Sequence, residues 1–253
     1  METTGNTILI TGGGSGIGRG LAEAFHASGN KVIIAGRREG ALQETVQKSP
    51  GMEYLVFDQA DPGQLGDFAA GLKRRFPNLN VLINNAGIQR VEDLTSGEVA
   101  DAEATLQTNL LGPIRITAAL VRQLMSRPQG AILNISSTLA MVPAALLPSY
   151  CASKAAIHSY TQSLRYQLRD STVQVIEIMP PWVQTELQGN RGMNPKAMPL
   201  NDYISETMAV LRHHPGVMEI VSDRAKPMRY AERGDYDSFF SKYNEGWAAS
   251  QER

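Results

Sequence analysis

The sequence has little of what secreted and membrane proteins depend on. It contains one cysteine in 253 residues, which excludes an intrachain disulfide and fits a reducing compartment. Its longest apolar runs, such as TILI and KVIIAG, are far too short to cross a bilayer. The opening METTGNTILITGG has no basic region and no long apolar segment, so we expect no signal peptide. These absences predict a cytoplasmic protein that is not embedded in a membrane.

The sequence also lacks an excess of charge of either sign. Its 24 basic and 25 acidic residues give a formal net charge of −1. No global field therefore favours nucleic acid or anionic lipid, and we expect neither as a partner. Hydrophobic residues make up 42% of the chain, which is enough for a sizeable core.

What the sequence does have is an alternation of short β-rich runs with helix-length segments. The runs are near-continuously apolar, which is typical of strands covered on both faces. The order predicts an α/β fold in one domain, 1–253: a doubly wound parallel sheet of the Rossmann type, with about seven strands and helices on both faces. The predicted strands are 7–11, 31–36, 53–58, 81–85, 131–136, 173–179 and one near 217–223; the predicted helices are 16–28, 39–48, 62–76, 99–126 and 149–169.

The last quarter of the chain is less regular. The run LQGNRGMNPKAMPLND predicts a long loop, and we interpret about 186–202 as a substrate loop or lid. Residues 224–253 are predicted to form a helical extension. Its aromatic residues share one helical face, as in a helix docked on the body or on a partner; they are Tyr236, Phe239, Phe240 and Tyr243.

The first predicted strand runs into the glycine-rich sequence TGGGSGIGRG. The strict G-x-G-x-x-G spacing is absent, but Thr11, Gly12, Gly16 and Gly18 form the pattern T-G-x-x-x-G-x-G. Such a turn lets the backbone approach a pyrophosphate and directs a helix N-terminus at it. The strand–turn–helix context favours phosphate binding over a flexible loop.

The second predicted strand ends in AGRR. Gly36 occupies the place where NAD-binding folds favour a carboxylate, and Arg37 and Arg38 follow. A guanidinium can bind a 2′-phosphate with two hydrogen bonds, so the sequence predicts NADP(H). The alternative is a pair of solvated arginines that open a helix.

The stretch SYCASKAAIHSY offers two reactive pairs. Cys151 and His158 are seven residues apart on one predicted helix, roughly 10 Å along its axis, so they cannot act together. Tyr150 and Lys154 are four apart and share a helix face. That spacing alone is common by chance.

The context of this pair resembles the short-chain dehydrogenase/reductase family, in its compact single-domain form. The resemblance extends from residue 7 to about 185 and is carried by TGGGSGIG (11–18), NNAG (84–87), TNLLG with Asn109, NISS (134–137) and YCASK (150–154). A further resemblance is to a bacterial subgroup associated with the D-alanyl-lipoteichoic acid operon. It is carried by the C-terminal extension and by the runs YCASKAAIH and LRYQLRD, and it does not indicate a substrate.

The resemblance implies four catalytic residues. Tyr150 would be the general acid and base, and Lys154 would hold the nicotinamide ribose. The ammonium of Lys154 and an oxidised nicotinamide would lower the pKa of Tyr150. Ser137 would hydrogen-bond the reacting oxygen, and Asn109 would hold a water that links Lys154 to solvent.

The resemblance also implies a cofactor site, and we predict no metal. Asp58 and Gln59 would lie near the adenine, while Val183 and Thr185 would contact the nicotinamide amide and the phosphate. The full set is Gly12, Gly14, Ser15, Gly16, Ile17, Gly18, Arg37, Arg38, Asp58, Gln59, Asn85, Ala86, Gly87, Tyr150, Lys154, Pro180, Val183 and Thr185.

One position departs from the family pattern. In MPPWVQTEL, Pro181 stands where the family has glycine, and proline excludes a turn with positive φ. Our hypothesis is that Pro181 stiffens the hinge of the following loop.

These features predict an NADP(H)-dependent oxidoreductase that interconverts a carbonyl and a secondary alcohol. Members of the family form homodimers or homotetramers through the long helices, here 99–126 and 149–169. The alternative is a catalytically silent NADP(H)-sensing regulatory protein. A nucleotide-sugar epimerase or dehydratase is disfavoured because such relatives carry a larger C-terminal region.

The predicted substrate side is apolar. Apolar residues near the proposed site are compatible with a pocket for a hydrophobic carbonyl compound. They are TLAMVPAALLP (138–148), Trp182, Leu187 and the methionines of 193–198. They are equally compatible with packing of the lid or of a subunit contact.

Overall fold

Seven parallel strands form one sheet in the computed structural model, which describes residues 1–187, 189 and 194–249. The strands are β1 (Thr7–Thr11), β2 (Lys31–Gly36), β3 (Glu53–Val56), β4 (Val81–Asn84), β5 (Gly130–Ile135), β6 (Val173–Met179) and β7 (Glu219–Val221). Their order across the sheet is β3-β2-β1-β4-β5-β6-β7. The order reverses between β1 and β4, and a doubly wound sheet binds its ligand outside the carboxyl ends of the strands at such a switch point.

Helices cover both faces of the sheet, as the alternation predicts. Within the described ranges they are α1 (Gly16–Ala27), α2 (Glu39–Lys48), α3 (Leu65–Arg75), α4 (Ala100–Leu106), α5 (Gly112–Met125), α6 (Pro148–Gln167), α7 (Leu200–His213), α8 (Lys226–Arg229) and α9 (Tyr236–Ala249). α1, α2 and α7 enclose one core, and α3, α5 and α6 enclose the other. None of the helices that the structure describes combines the length and the apolar character of a transmembrane span.

The two cores follow from the pleat of the strands. Ile8 and Ile10 of β1 belong to the first core and Leu9 to the second, and all three are fully buried. Because successive side chains point to opposite faces, a strand buried on both sides must be apolar throughout. The near-continuous apolar runs in the sequence have this cause.

Two predicted helices differ in detail from the structure. Residues 62–64 form a 3₁₀ turn before α3, and the Asp61 side chain caps it by accepting a hydrogen bond of 2.8 Å from the Gly63 N–H. The predicted helix 99–126 is interrupted by a π-helical turn, Gln107–Leu111, which carries Asn109. Single π-turns are frequent at functional sites.

The helix α7 is absent from the sequence prediction, which extended the loop to residue 202. It begins at Leu200, directly after Pro199, and buries Tyr203, Thr207 and Leu211 at helical spacing. The high content of Gly, Asn and Pro just before it hid this start. Within the predicted lid, 188 and 190–193 lie outside the described residues, including Met193.

Candidate cofactor and active site

A cavity of about 1070 Å³ lies at the carboxyl ends of the strands. Most of the predicted site residues line it: Gly12, Gly14, Ser15, Gly16, Ile17, Arg37, Arg38, Asp58, Gln59, Asn85, Ala86, Gly87, Ser137, Tyr150, Lys154, Pro180, Val183 and Thr185. Gly18 and Asn109 are buried behind its wall instead. The structure thus brings together segments that are up to 173 residues apart in the sequence, from Gly12 to Thr185.

The glycine turn is held close to the end of β4. Gly12 has a φ of +69°, and a Cβ there would lie 2.8 Å from the Cα of Ala86. A Cβ on Gly18 would lie 2.3 Å from the Gly12 carbonyl oxygen. Gly18 therefore allows α1 to pack on the turn, and its expected role in cofactor binding stays a prediction.

Side chains fix the turn from below. The Asn85 amide donates to the Thr11 carbonyl at 2.9 Å, and the Thr11 hydroxyl accepts from the backbone N–H groups of Asn85 and Ala86, both at 3.1 Å. Gln59 donates to the carbonyls of Ala86 (3.1 Å) and Thr108 (2.7 Å). These hydrogen bonds hold the end of β4 against the glycine turn and the π-helical turn.

The start of α1 fits a phosphate group. Its N-cap, Ser15, has extended backbone and makes no capping hydrogen bond through its side chain, and the first turn holds no acidic residue. The free N–H groups of a first helical turn attract anions. Thr185 lies against this turn, since a Cβ on Gly16 would be 3.3 Å from its Cγ2. The donors present here match a dinucleotide pyrophosphate.

The two arginines after β2 have different surroundings. The Arg38 guanidinium donates to the Ser15 hydroxyl at 2.8 Å and lies 3.7 Å from the Glu186 carboxylate. Arg37 lies 3.8 Å from the Asp58 carboxylate. Arg38 thus stands at the glycine turn, whereas Arg37 faces the residue expected beside the adenine.

Tyr150 opens into the cavity from the first turn of α6. Its side chain is buried, with 6% exposure. Burial raises the pKa of the Tyr150 phenol above its usual value, and a hydrogen bond with the Ser137 side chain opposes this rise. In the protein alone, desolvation is the larger effect; the lowering of this pKa expected from Lys154 and an oxidised nicotinamide stays a prediction.

Lys154 is buried one helical turn further along α6. Its Nζ donates to the Ile135 carbonyl at 2.8 Å and lies 5.7 Å from the centre of the Tyr150 ring. Burial lowers the pKa of the Lys154 ammonium to about 8, and the charge of Glu177 opposes the shift. The carbonyl of β5 therefore aims this lysine along the cavity wall.

Asn109 is held by the π-helical turn. Its side-chain oxygen accepts from the Ile88 N–H at 2.8 Å, and its amide donates to the Ile88 carbonyl (2.9 Å) and the Ser153 hydroxyl (3.2 Å). Both amide N–H groups are used by protein partners. The water relay expected here stays a prediction.

Cys151 and His158 have separate partners. Cys151 Sγ accepts from the Ala144 N–H at 3.3 Å, and burial raises the pKa of its thiol to about 11. His158 Nδ1 lies 2.8 Å from the Glu177 carboxylate, while Gln162 lies 2.9 Å from its Nε2. Cys151 and His158 therefore contact different residues, and His158 is not placed to activate Cys151 as a nucleophile.

The Pro180–Pro181 turn forms without positive φ. Among the described residues, only glycines have positive φ. The Pro180 carbonyl accepts from the Thr138 N–H at 3.1 Å, and Val183 pairs with Met198 across the base of the following loop. Proline at 181 is thus accommodated by a different turn from the one expected with glycine.

Several cavity residues are absent from the sequence prediction. They are contributed by loops and by the C-terminal part, and include Arg90, Lys196, Arg224, Met228, Lys242 and Gly246. Tyr243, expected only on a docking face, also lines the cavity and packs against the buried cluster that holds Tyr150. α9 is docked through Tyr236, which donates to the Met141 carbonyl at 3.1 Å, and Asn244, which accepts from the Ala145 N–H at 2.6 Å. No sequence motif signals that this helix reaches the cavity.

Comparison with known proteins identifies the family. Residues 6–196 match the family model described as short chain dehydrogenase. The chain belongs to the short-chain dehydrogenase/reductase family. The predicted resemblance is therefore confirmed, as is the Rossmann-type fold.

Relatives and solved structures extend this result. A Bacillus subtilis (strain 168) protein named uncharacterized oxidoreductase DltE is 39% identical over 250 residues, covering 96% of this chain and 98% of the relative. A Burkholderia cenocepacia J2315 short chain dehydrogenase in complex with NADP superimposes with a TM-score of 0.83, at 27% identity over 96% of this chain and 98% of that one. A Burkholderia phymatum member in complex with NAD shares the fold, with a TM-score of 0.79 and 22% identity over 92% of each chain.

Proposed function

We propose that this short-chain dehydrogenase/reductase is an NADP(H)-dependent oxidoreductase that interconverts a carbonyl and a secondary alcohol. The observation that carries the proposal is the joint position of Ser137, Tyr150 and Lys154 on one wall of the cavity, with the glycine turn also lining it. A reaction centre and a phosphate site within one cavity are what a dinucleotide-dependent enzyme needs.

The preference for NADP(H) rests on Arg38. Its guanidinium is tied to Ser15 at the glycine turn, and Gly36 leaves no carboxylate at the end of β2. An arginine at this point can neutralise a 2′-phosphate. The solved relatives include complexes with NADP and with NAD, so the choice is argued from these residues.

When bound, the nicotinamide would donate or accept the hydride. Tyr150 donates its phenolic proton to the carbonyl oxygen during reduction and accepts it back during oxidation. Ser137 hydrogen-bonds the same oxygen and orients it. Lys154, aimed by the Ile135 carbonyl, stabilises the tyrosinate that reduction leaves behind. Asn109 supports this wall through Ile88 and Ser153, and its part in proton return belongs to the proposal.

Turnover tests the proposal directly. Purified protein is mixed with NADPH or NADH and a panel of aldehydes, ketones and quinones, and the loss of reduced nicotinamide is followed. We expect NADPH oxidation that Tyr150→Phe reduces by roughly 10³-fold, with NADPH affinity kept. Tyr166→Phe is the matched control, since this exposed tyrosine lies on the same helix.

The silent sensor remains the second candidate function. It is distinguished by tight NADPH binding without turnover on the whole panel. The burial of Tyr150 is the observation that favours it, because burial raises the pKa of the phenol and so opposes the tyrosinate that turnover requires. We further propose a cytoplasmic homodimer or homotetramer; sedimentation of the purified protein measures its assembly.

A further inference from the structure

The cavity is much more basic than the chain as a whole. Seven basic and two acidic side chains line its described part, whereas the whole chain has 24 and 25. The basic residues are Arg37, Arg38, Arg90, Lys154, Lys196, Arg224 and Lys242, and the acidic residues are Asp58 and Glu186. A cleft lined by one sign of charge raises the local concentration of ligands of the other sign.

Only some of this charge serves the proposed cofactor. Arg38 lies at the glycine turn, Arg37 faces Asp58, and Lys154 lies beside Tyr150. The other four cations come from elements outside the dinucleotide-binding motifs. NADP(H) therefore leaves these four cations without an assigned anion.

Most of these four cations are free to bind a ligand. Arg90 pairs with Asp101. Lys196, Arg224 and Lys242 form no ion pair with any residue that the structure describes, and the acidic lining residue Glu186 faces Arg38. By contrast Lys226, close to Arg224 in the sequence, is paired with Asp223. Three of the four additional cations that border the cavity therefore have no described carboxylate partner.

The part of the cavity around Tyr150 is apolar. Tyr243 packs against the cluster that contains Tyr150 and Leu139, and Met228 packs against the same cluster. Lys242 adjoins Tyr243 on α9, and Arg224 precedes α8, which carries Met228. A molecule held by these walls would have its reacting carbon at Tyr150 and its other end at the two cations.

We propose that the substrate is a carbonyl compound, or the corresponding alcohol, with an apolar body and a terminal oxyanion that Arg224 and Lys242 bind. The oxyanion is a carboxylate or a phosphate, since both accept charge-assisted hydrogen bonds from these groups. This inference rests on the proposed function and names the substrate class of the same site. The chemistry is unchanged: the carbonyl carbon gains hydride and its oxygen gains the proton of Tyr150.

Calorimetry with unreactive probes tests anion binding without turnover. NADP-saturated protein is titrated with hexanoate, hexyl phosphate and the neutral hexanamide. We expect the better of the two anions to bind at least tenfold more tightly than hexanamide, which also tells carboxylate from phosphate. Arg224→Gln and Lys242→Gln should each weaken that anion roughly tenfold and leave hexanamide unchanged. Lys73→Gln is the control, since Lys73 is exposed on α3 and does not line the cavity.

Three results would overturn the inference. They are equal binding of hexanamide and both anions, an equal loss in Lys73→Gln and Lys242→Gln, and no measurable binding of any probe. A reactive pair separates this failure from that of the proposed function: a 3-oxo acid and its methyl ester differ only in charge. Equal kcat/KM for the acid and the ester would refute the anion site but not the oxidoreductase activity. Binding of the anions without any turnover would support the anion site and refute the oxidoreductase activity.

Discussion

The two halves of the cavity are built in different ways. The half assigned to the cofactor consists of strand ends and a glycine turn, fixed by buried hydrogen bonds such as those between Thr11 and Asn85. The half assigned to the substrate includes exposed side chains from distant segments, among them Arg90, Arg224 and Lys242. Backbone geometry defines the first half and side-chain convergence defines the second.

This difference explains how substrate and cofactor recognition can vary separately. A change in the glycine turn disturbs the packing of β1, α1 and β4 together, because no space is left for a Cβ. A change at Lys242 alters only what the cavity wall presents to a ligand. We therefore expect large effects with a structural component in the first half and smaller, ligand-dependent effects in the second.

Among the changes that test this comparison, the largest effect is expected from Gly18→Ala. The new Cβ would lie 2.3 Å from both the Gly12 oxygen and the Asn85 amide nitrogen, so the turn must move. Overpacking of this kind costs about 1–3 kcal/mol, and we expect NADPH to bind roughly 100-fold more weakly, with a lower Tm. Fluorescence titration and thermal unfolding measure the two effects.

The control for this change is Gly71→Ala on α3. A Cβ there meets nothing within 4 Å, so alanine should be neutral or stabilising by up to about 1 kcal/mol. Normal NADPH affinity in Gly18→Ala would show that the turn can accept a Cβ at this position. Close backbone packing would then not be what defines the cofactor half of the cavity.

A second, smaller effect is expected from Arg38→Gln. If this guanidinium binds the 2′-phosphate, KM for NADPH should rise roughly 10- to 50-fold while KM for NADH stays constant. Arg37→Gln should have a weaker effect, because Arg37 faces the Asp58 carboxylate. Steady-state kinetics with both cofactors measure these KM values. An equal rise in KM for NADH and NADPH would indicate that Arg38 supports the glycine turn and does not bind the 2′-phosphate.

The same contrast separates what the sequence predicts from what it does not. The strands, the glycine turn and the Tyr150–Lys154 pair follow from local patterns, because apolar runs, positive φ and helical spacing act over a few residues. The sequence did not predict α7, because Pro199 and the glycines before it are typical of a loop. The helical spacing of Tyr203, Thr207 and Leu211 was the signal that could have found it.

Features that depend on convergence in space could not be predicted. Nothing near Arg224 or Lys242 in the sequence indicates that α8 and α9 bring them to the cavity. The raised pKa of the Tyr150 phenol is a second example: the sequence supplies the neighbouring charge of Lys154, but only the packed structure reveals the larger cost of burial.

A third prediction concerns the support of Lys154 from outside the cavity. Glu177 on β6 is buried, with 1% exposure, and is hydrogen-bonded to His158, one helical turn beyond Lys154 on α6. Its charge opposes the burial that lowers the pKa of Lys154 to about 8. Two other charged groups lie near Glu177. Glu219 belongs to the same cluster as Glu177 and His158, and the Arg229 guanidinium donates to the Glu219 carboxylate at 2.6 Å.

Glu177→Gln removes this charge and keeps an acceptor for His158. The pKa of Lys154 should fall below its present value, so the ammonium is lost at lower pH. Activity that needs the ammonium should then decline from a lower pH, with a several-fold loss near pH 8 and little change near pH 6. A kcat–pH profile measures this, with Glu177→Asp as the variant that keeps the charge. A uniform loss at all pH values would indicate a structural role instead.

The smallest effect is expected from Pro181→Gly, at the border between the two halves. Proline restricts the unfolded chain, so glycine should lower the free energy of unfolding by about 0.4–1 kcal/mol. Because Val183 and Met198 still close the base of the loop, the loop should loosen without being lost. We expect a KM for the carbonyl substrate that rises about twofold, with KM for NADPH unchanged, and faster proteolysis between 186 and 199. Unchanged kinetics and unchanged proteolysis together would mean that the Val183–Met198 pairing, rather than the proline, sets the stiffness of this hinge.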